Sequence, residues 1–210
     1  MQPISQDLIL IQDEIRSSFG WSLQSDYDSA LQLCASYDKN SPKITLPEKV
    51  TVVGAAAPPG YVPLGPTIVA DGAIGALVDH SKVILIVTDG DGTPYLEKGL
   101  NKGIPICLHA HGDNIDSWKK ILEIIDDDQE VILTHQTPYD IEGMYNPGGF
   151  TDGDRAVCIA LALGATEIEL VGFSIGEVGA WSAITDEKRK LMKLKWMNRV
   201  LKLLSMEIDS

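Results

Sequence analysis

Cysteine is scarce in this chain of 210 residues. There are three cysteines, Cys34, Cys107 and Cys158, and no two of them form a CxxC pair. An odd count without that pair argues against a disulfide framework. Cys107 and Cys158 lie in apolar runs, which indicates reduced thiols in a hydrophobic core.

Basic residues are also few. Lys and Arg number 17 against 30 Asp and Glu, which gives a formal net charge of -13. This excess of negative charge repels nucleic acid and anionic membranes and argues against either as a partner. Solubility is its simplest explanation. An acidic protein can still bind a phosphorylated ligand when a metal ion and backbone N–H groups meet the phosphate charge.

Long hydrophobic runs are absent as well. No segment reaches the roughly 18 consecutive apolar residues of a membrane-spanning helix. Residues 1–15 lack the basic start and the unbroken apolar stretch of a signal peptide. We therefore expect a cytoplasmic protein whose partners are small molecules, and the sequence leaves homo-oligomerisation open.

Two kinds of pattern divide the chain. Residues 4–38 carry apolar positions at helical spacing, with Ser25 or Asp26 as the cap of a second helix. The stretch 39–49 contains Lys and Pro and suits an exposed connection. We expect a helical preface, residues 1–44, packed on an α/β catalytic domain, residues 45–210, within one structural domain.

The second part of the chain alternates apolar runs with helix-length segments. Strands that are apolar along their whole length belong to the middle of a parallel sheet covered by helices. The sequence therefore predicts an α/β fold with a doubly wound, mostly parallel, Rossmann-like sheet. The predicted strands are 50–55, 67–70, 82–88, 104–110, 130–135 and 167–173, and the predicted helices are 72–79, 95–101, 115–127, 152–163 and 185–204.

Glycines and polar residues follow five successive predicted strands. In such a sheet, ligands bind outside the carboxyl ends of the strands. The first of these ends is a glycine turn that starts at Gly54, where a backbone can approach a phosphate, although a plain tight turn is an equal alternative. The residues at the other four ends are Asp71, then Asp89 and Asp91, then His109, His111, Asp113 and Asn114, and finally His135 and Gln136.

The turn after the third strand carries two carboxylates. Asp89 and Asp91 flank Gly90 in the word TDGDG. Glycine lets the chain fold closely, so both carboxylates can face one cation. A plain turn is the alternative, and the spacing of an EF-hand calcium loop is absent.

The fourth strand ends in the word HAHGDN. His109 and His111 alternate, so both imidazoles face the same side of the strand, with Asp113 and Asn114 just beyond. A single histidine there is more often structural, but the whole word offers ligands, acid/base groups and an amide. Because no thiolate or third histidine lies nearby, a hard cation held by carboxylates fits better than zinc.

The longest glycine-rich polar run spans residues 146–156 and leads into an apolar helix. Thr151 or Asp152 can cap that helix, which explains part of the pattern. Capping does not require Asp152, Asp154 and Arg155 together after two glycines. We therefore expect a ligand loop at a helix N-terminus, with Arg155 as a phosphate-binding fork.

Four sequence motifs, in this order along the chain, resemble those of the archaeal 6-hydroxymethyl-7,8-dihydropterin diphosphokinase family. They are VTDGDG (87–92), HAHGDN (109–114), GFTDGDRA (149–156) and LVGFSIGEVG (170–179), and the likeness covers roughly residues 45–204. The resemblance implies Mg²⁺-dependent transfer of diphosphate from ATP to the pterin hydroxymethyl oxygen, with release of AMP, in folate or methanopterin biosynthesis. The first glycine turn, GAAAPPG, departs from the family pattern GxGPSL.

The resemblance implies roles for the residues at the strand ends. A diphosphoryl transfer needs a metal ion, phosphate donors and little covalent chemistry from the protein. The expected metal ligands are Asp89, Asp91 and Asp113, and the expected catalytic residues are His109, His111, Asp113 and Arg155. The expected substrate contacts are Asp71, Asn114, Gln136, Gly148, Gly149, Thr151, Asp152 and Asp154, and the expected nucleotide contacts are Gly54, Gly153 and Arg155.

Two other functions are compatible with the same sequence motifs. One is a nucleotide-sugar-dependent glycosyltransferase-like enzyme, which would need a larger acceptor domain than this chain offers. The other is a non-catalytic subunit that binds nucleotide or pterin without turnover. The many ionisable groups expected at one edge favour an enzyme.

Overall fold

A computed structural model describes residues 1–39, 41–183 and 186–208. Its centre is a seven-stranded sheet in which every described strand pair is parallel, in the order β6-β5-β4-β3-β2-β1-β7. The strands are β1 (Lys49–Val53), β2 (Thr67–Ala70), β3 (Val83–Thr88), β4 (Ile106–Ala110), β5 (Val131–His135), β6 (Met144–Tyr145) and β7 (Glu167–Val171). The six predicted strands are confirmed to within two residues, and β6 was not predicted.

Within the described residues, six α-helices and one 3-10 helix surround this sheet. Where a longer helix was predicted from Gly72, the structure has the 3-10 helix Asp71–Ala76, and Thr185, the predicted start of the last helix, lies outside the described residues. No described helix has the length and apolar character needed to cross a membrane. The α-helices are α1 (Asp7–Phe19), α2 (Leu23–Ser36), α3 (Glu97–Leu100), α4 (Ile115–Ile124), α5 (Asp152–Ala162) and α6 (Glu187–Leu203).

Helices cover both faces of the sheet. Neighbouring residues of a strand point to opposite faces, and Val52 and Val53 are both fully buried. Val52 belongs to a cluster with residues of α5 and α6. Val53 belongs to a second cluster with residues of α2 and α4 and of the 3-10 helix. Burial on both faces explains why the strands are continuous apolar runs.

The two N-terminal helices pack against different elements. Leu8, Ile11 and Ile15 of α1 share a buried cluster with Val200 of α6, while α2 contacts β4, β5 and α4. Gly20 ends α1 in the left-handed conformation, with a φ of 66°, which glycine adopts without strain. The turn that follows brings the start of α2 beside the carboxyl ends of β4 and β5.

Candidate active site

A cavity of about 320 Å³ lies at the carboxyl edge of the sheet. It follows the sheet order, from Gln136 after β5, through the ends of β4, β3 and β2, to Gly54 after β1 and Gly172 after β7. Ten of the residues predicted from the sequence line it: Gly54, Asp71, Asp89, Asp91, His111, Asp113, Gln136, Thr151, Asp152 and Gly153. Six others, His109, Asn114, Gly148, Gly149, Asp154 and Arg155, do not line it.

Three carboxylates converge at the centre of this cavity. Oxygen atoms of Asp71, Asp89 and Asp91 lie within 4.8 Å of one another. The structure brings Asp71 to Asp89 and Asp91, whereas Asp113, the third ligand expected from the sequence, lies outside this cluster. Asp113 instead contacts Nδ1 of His111 at 2.7 Å and has an exposed side chain.

Asp71 is held in an unusual backbone conformation. Its φ of 47° lies in the left-handed region, which is rare for residues other than glycine and is found where neighbouring structure enforces it. Oδ1 of Asp71 accepts a hydrogen bond from Thr88 Oγ1 at 2.5 Å and another from the Gly92 N–H at 3.2 Å. A Cβ atom at Gly92 would lie only 2.3 Å from the Asp71 carboxylate, so this glycine permits the close approach.

Burial and mutual repulsion disfavour ionisation of part of this acidic group. Burial and the charge of Asp152 raise the pKa of Asp71. Burial and the charge of Asp89 raise the pKa of Asp91 to about 6 and that of Asp152 to about 8. Carboxylates arranged in this way are stabilised by a bound cation.

Asp89 and His111 form an ion pair. His111 Nε2 lies 3.1 Å from Asp89 Oδ2. Burial disfavours both charged forms, but the hydrogen bonds of His111 to Asp113 and Asp89 raise the pKa of His111 to about 9. Despite burial, the hydrogen bond and charge of His111 lower the pKa of Asp89. His111 is therefore a cation near neutral pH.

The donor set of the cluster fits Mg²⁺. Magnesium prefers carboxylate oxygens at about 2.1 Å, so an octahedral ion spans ligand oxygens up to about 4.2 Å apart. The spacing within 4.8 Å needs only a small adjustment. Neither Cys107 nor Cys158 belongs to the cluster, and both thiols are buried.

His109 lies behind the cavity wall. It is buried and its ring nitrogens contact Thr134 Oγ1 at 3.1 Å and Gln136 Oε1 at 3.4 Å. Burial and the charge of Arg155 lower its pKa, which favours the neutral ring. In this structure His109 orients Gln136, whose side chain lines the cavity.

Asn114 is buried and braces two strand ends. Its Nδ2 donates to the carbonyl oxygens of His109 at 2.7 Å and Asp89 at 2.8 Å, and its Oδ1 accepts the His111 N–H at 2.9 Å. These three bonds tie the end of β4 to the end of β3. They fix the distance at which His111 meets Asp89.

The motif GFTDGDRA forms the N-terminus of α5. Thr151 and Asp154 form a capping box, and the buried Asp154 carboxylate also accepts the Phe150 N–H at 2.7 Å. Arg155 is 1% exposed and donates to Asp152 Oδ1 at 2.9 Å and to the Phe150 carbonyl at 2.7 Å. Asp154 and Arg155 therefore shape the turn that presents Asp152 to the cavity.

The two glycines before this word have φ values of 93° and 88°. A Cβ atom at Gly148 would lie 2.7 Å from Leu8, and one at Gly149 would lie 2.5 Å from the backbone of Arg155. Both positions therefore require glycine for conformation and for space. This requirement accounts for them without a ligand.

At the end of the cavity beside β1 and β7, the lining consists largely of backbone. Gly54 and Gly172 follow the adjacent strands β1 and β7, and a Cβ atom at Gly54 would lie 2.8 Å from the Gly172 carbonyl oxygen. Phe173 and Trp181 line this end, and the Trp181 indole donates to the Ala57 carbonyl at 2.8 Å. Backbone and aromatic surface of this kind suit a nucleoside or another planar ligand.

Sequence reasoning missed several residues that line the cavity. Lys190 and Lys193 of α6 line it, as does Asp26 of α2. The buried Asp26 carboxylate accepts the Gly112 N–H at 2.8 Å and Gln136 Nε2 at 2.9 Å. No sequence signal distinguishes these residues from the other charged residues of their helices, because only tertiary packing selects the positions that face the strand ends.

Comparison with known proteins identifies relatives of one kind. No protein-family model matches the chain. A protein of Pyrococcus furiosus named 6-hydroxymethyl-7,8-dihydropterin pyrophosphokinase is 36% identical over 211 aligned positions, which cover 90% of this chain and 89% of that protein. Proteins of the same name from Methanothermobacter thermautotrophicus and Methanocaldococcus jannaschii are 41% and 37% identical over 52% and 53% of this chain and 46% and 47% of their own lengths. The chain belongs to the family of archaeal 6-hydroxymethyl-7,8-dihydropterin pyrophosphokinases.

Proposed function

We propose that this protein transfers diphosphate from ATP to 6-hydroxymethyl-7,8-dihydropterin in a Mg²⁺-dependent reaction. The products are the pterin diphosphate and AMP, on a route to folate or methanopterin cofactors. The observation that carries the proposal is the cluster of Asp71, Asp89 and Asp91 in a cavity of a chain 36% identical to a pyrophosphokinase over nearly its whole length. Phosphate transfer needs this combination of a carboxylate-held metal and an enclosed site.

In the proposed reaction, the hydroxymethyl oxygen of the pterin forms a bond to the β-phosphorus of ATP. The bond from that phosphorus to the oxygen bridging it to the α-phosphorus breaks, and this oxygen leaves with AMP. The hydroxyl proton is released to water. No oxidant or reductant is required, and the protein acts by positioning and by electrostatic stabilisation.

We assign the metal to the three clustered carboxylates. Mg²⁺ bound there would supply positive charge beside the phosphates as negative charge shifts during transfer. His111, a cation paired with Asp89, would hold that carboxylate in position for the metal. Asp113 contributes to the proposed site by holding the other ring nitrogen of His111.

We assign the substrates to opposite ends of the cavity. Gly54 and Gly172 line one end of the cavity, where backbone groups could meet the phosphates of a nucleotide. Gln136 after β5 offers an amide and Asp152 at the start of α5 offers a carboxylate, the groups that match the amide and amine edge of a pterin. Arg155 supports the proposed pterin contact through its ion pair with Asp152.

The proposal keeps the wider expectations drawn from the sequence. It includes a Rossmann-like description of the sheet, a helical preface of residues 1–44 on a catalytic domain of residues 45–210, and a cytoplasmic location. It also includes small molecules, and neither nucleic acid nor membrane, as partners. Homo-oligomerisation is open.

An assay with purified protein tests the proposed reaction. ATP, Mg²⁺ and 6-hydroxymethyl-7,8-dihydropterin are incubated with the wild type and with Asp89→Asn, and AMP and pterin diphosphate are separated by chromatography. We expect both products only when pterin and metal are present, and a rate at least about a hundredfold lower in Asp89→Asn. Glu123→Gln, which removes an exposed carboxylate on α4, is the matched control.

Two results would overturn the proposal. Nucleotide binding without AMP formation would favour the non-catalytic binding subunit. Consumption of a nucleotide sugar instead of ATP would favour the glycosyltransferase-like enzyme.

A further inference from the structure

Two lysines of α6 line the same cavity as the acidic cluster. Lys190 and Lys193 are three residues apart, so they lie on one face of the helix, and both line the cavity. Both side chains are half-buried. Arg155 does not line the cavity. Among the side chains that the structure describes as lining it, these lysines and His111 are the cationic ones.

Neither lysine is paired with a carboxylate in the part of the chain that the structure describes. Within the described parts of the chain, no salt bridge or side-chain hydrogen bond involves the ammonium group of either residue. Asp89 and Asp113 nevertheless act on Lys193, and Lys190 acts on Asp91 and Asp152, through space. Two ammonium groups thus face four carboxylates without pairing with them.

The surroundings of Lys193 are apolar as well as acidic. Its ammonium lies 5.7 Å from the Trp21 ring centroid and 6.0 Å from the Phe150 ring centroid. Burial lowers its pKa. A partly desolvated cation gains more from an anion than an exposed one does.

A triphosphate requires positive charge on the side away from the metal. The clustered aspartates can recruit Mg²⁺ to one side of the phosphate chain, but they also repel phosphate oxygens that the metal does not cover. His111 is already paired with Asp89 and Asp113. Lys190 and Lys193 therefore supply the remaining cationic groups among the described side chains that line the cavity.

From this geometry we propose that Lys190 and Lys193 bind the β- and γ-phosphates of ATP, the diphosphoryl group that is transferred. The assignment rests on the proposed function and adds the residues that hold the group in transit. Each ammonium donates charge-assisted hydrogen bonds to phosphate oxygens. The same contacts hold the diphosphate after its bond to AMP has broken.

Binding to a nucleotide that cannot react tests this assignment separately from turnover. The variants are Lys190→Met and Lys193→Met, which keep the apolar stem and remove the charge, together with the double variant. One probe is α,β-methylene-ATP, which has no bridging oxygen at the bond that breaks, and it is added together with Mg²⁺. The other probe is AMP. The affinity for each is measured by isothermal titration calorimetry. Lys195→Met is the matched control, because Lys195 is exposed on the same helix and does not line the cavity.

We expect each single variant to bind the ATP analogue about tenfold more weakly and the double variant about a hundredfold more weakly. AMP affinity should change less than about twofold, because AMP lacks the phosphates in question. Lys193→Arg should retain most of the affinity. Unchanged affinity for the analogue in both single variants, or an equal loss for AMP, would overturn the assignment.

Mg²⁺ alone separates phosphate binding from simple charge balance. Removal of a nearby cation should leave the affinity for free Mg²⁺ unchanged or raise it, while the affinity for the analogue falls. Loss of both affinities by the same factor would mean that the lysines only maintain the structure of the cluster, and would refute the proposal. If the wild type binds the analogue through these lysines but forms no AMP with pterin, the proposed function fails while the phosphate site stands.

Discussion

At the scale of single residues, the geometry of the site depends on short contacts that fix the positions of its charged groups. Asn114 fixes the ends of β3 and β4 so that His111 meets Asp89 at 3.1 Å. The left-handed backbone of Asp71 turns its carboxylate toward the same point. Asn114 needs to touch no ligand to matter, because it determines where Asp89, a proposed metal ligand, lies relative to His111.

The buried His135 gives the folded protein a specific pH dependence. Burial lowers its pKa to about 4, and its Nδ1 accepts the Thr137 N–H at 3.1 Å. The folded state favours the neutral ring, so its stabilising effect is complete above pH 6.5 and is lost as the pH falls toward 4. Between pH 7.5 and 4.5 this loss amounts to about 2–3 kcal/mol of unfolding free energy.

Urea unfolding of the wild type and of His135→Asn measures this contribution. The asparagine keeps an acceptor for the Thr137 N–H and does not titrate. We expect the wild type to lose stability relative to the variant as the pH falls from 7.5 to 4.5. The two proteins share every other titrating group, so stabilities that change in parallel would show that His135 is not responsible.

At the scale of elements, the N-terminus of α5 separates structural from ligand-facing residues within one motif. Asp154 is fully buried and accepts the N–H groups of Phe150 and Thr151. Its replacement by alanine leaves both donors without a partner. We expect Asp154→Ala to lower the unfolding free energy by about 2–4 kcal/mol and to weaken activity through displacement of Asp152.

Asp186 provides the comparison for this cap. Its carboxylate accepts the Arg189 N–H at 3.1 Å at the exposed start of α6. Asp186→Ala should cost about 1 kcal/mol or less, because water replaces the lost bond. Equal costs for the two variants in urea unfolding would contradict the structural role given to Asp154.

Elements also differ in how well the sequence predicts them. Strands such as Val83–Thr88 are buried on both faces and therefore appear as unbroken apolar runs. The two-residue strand Met144–Tyr145 has no length in which a pattern could develop. The 3-10 helix Asp71–Ala76 replaces the predicted α-helix, where two glycines in six residues weaken helical propensity.

The residues of the candidate site also differ in how well the sequence predicts them. The parallel sheet places strand-end residues at one edge, so Asp71, Asp89 and Asp91 were predictable as neighbours. The cavity residues of α6 could not be predicted, because Lys190 and Lys193 are two among many lysines on a helix whose sequence is typical of a solvent-exposed surface. Only the packing of α6 on α5 and α1 determines which of its lysines face the carboxylates.

At the scale of the whole molecule, the N-terminal helices are part of the site as well as of the core. Arg16 of α1 donates to the Gln136 carbonyl at 2.6 Å and contacts the Asp26 carboxylate of α2 at 3.4 Å. Asp26 in turn holds Gly112 and Gln136 at the cavity wall. Loosening either helix would therefore disturb the ends of β4 and β5.

This interdependence predicts one cooperative unfolding transition for the chain. Leu33 of α2 shares a buried cluster with Val53 and Leu108 of the sheet, so α2 cannot separate without exposing the central core. Circular dichroism follows all helices, and tryptophan fluorescence follows the four tryptophans Trp21, Trp118, Trp181 and Trp196, which lie in different parts of the chain. In urea, both signals should change at the same concentration.

Arg16→Met makes the test more demanding. It leaves the buried Asp26 carboxylate without its cation, so we expect the unfolding free energy to fall by about 3–5 kcal/mol. The fluorescence and circular dichroism midpoints should fall together, because the helices and the sheet share one core. A variant whose fluorescence and circular dichroism change at different urea concentrations would contradict a single cooperative transition and show that part of the chain unfolds separately.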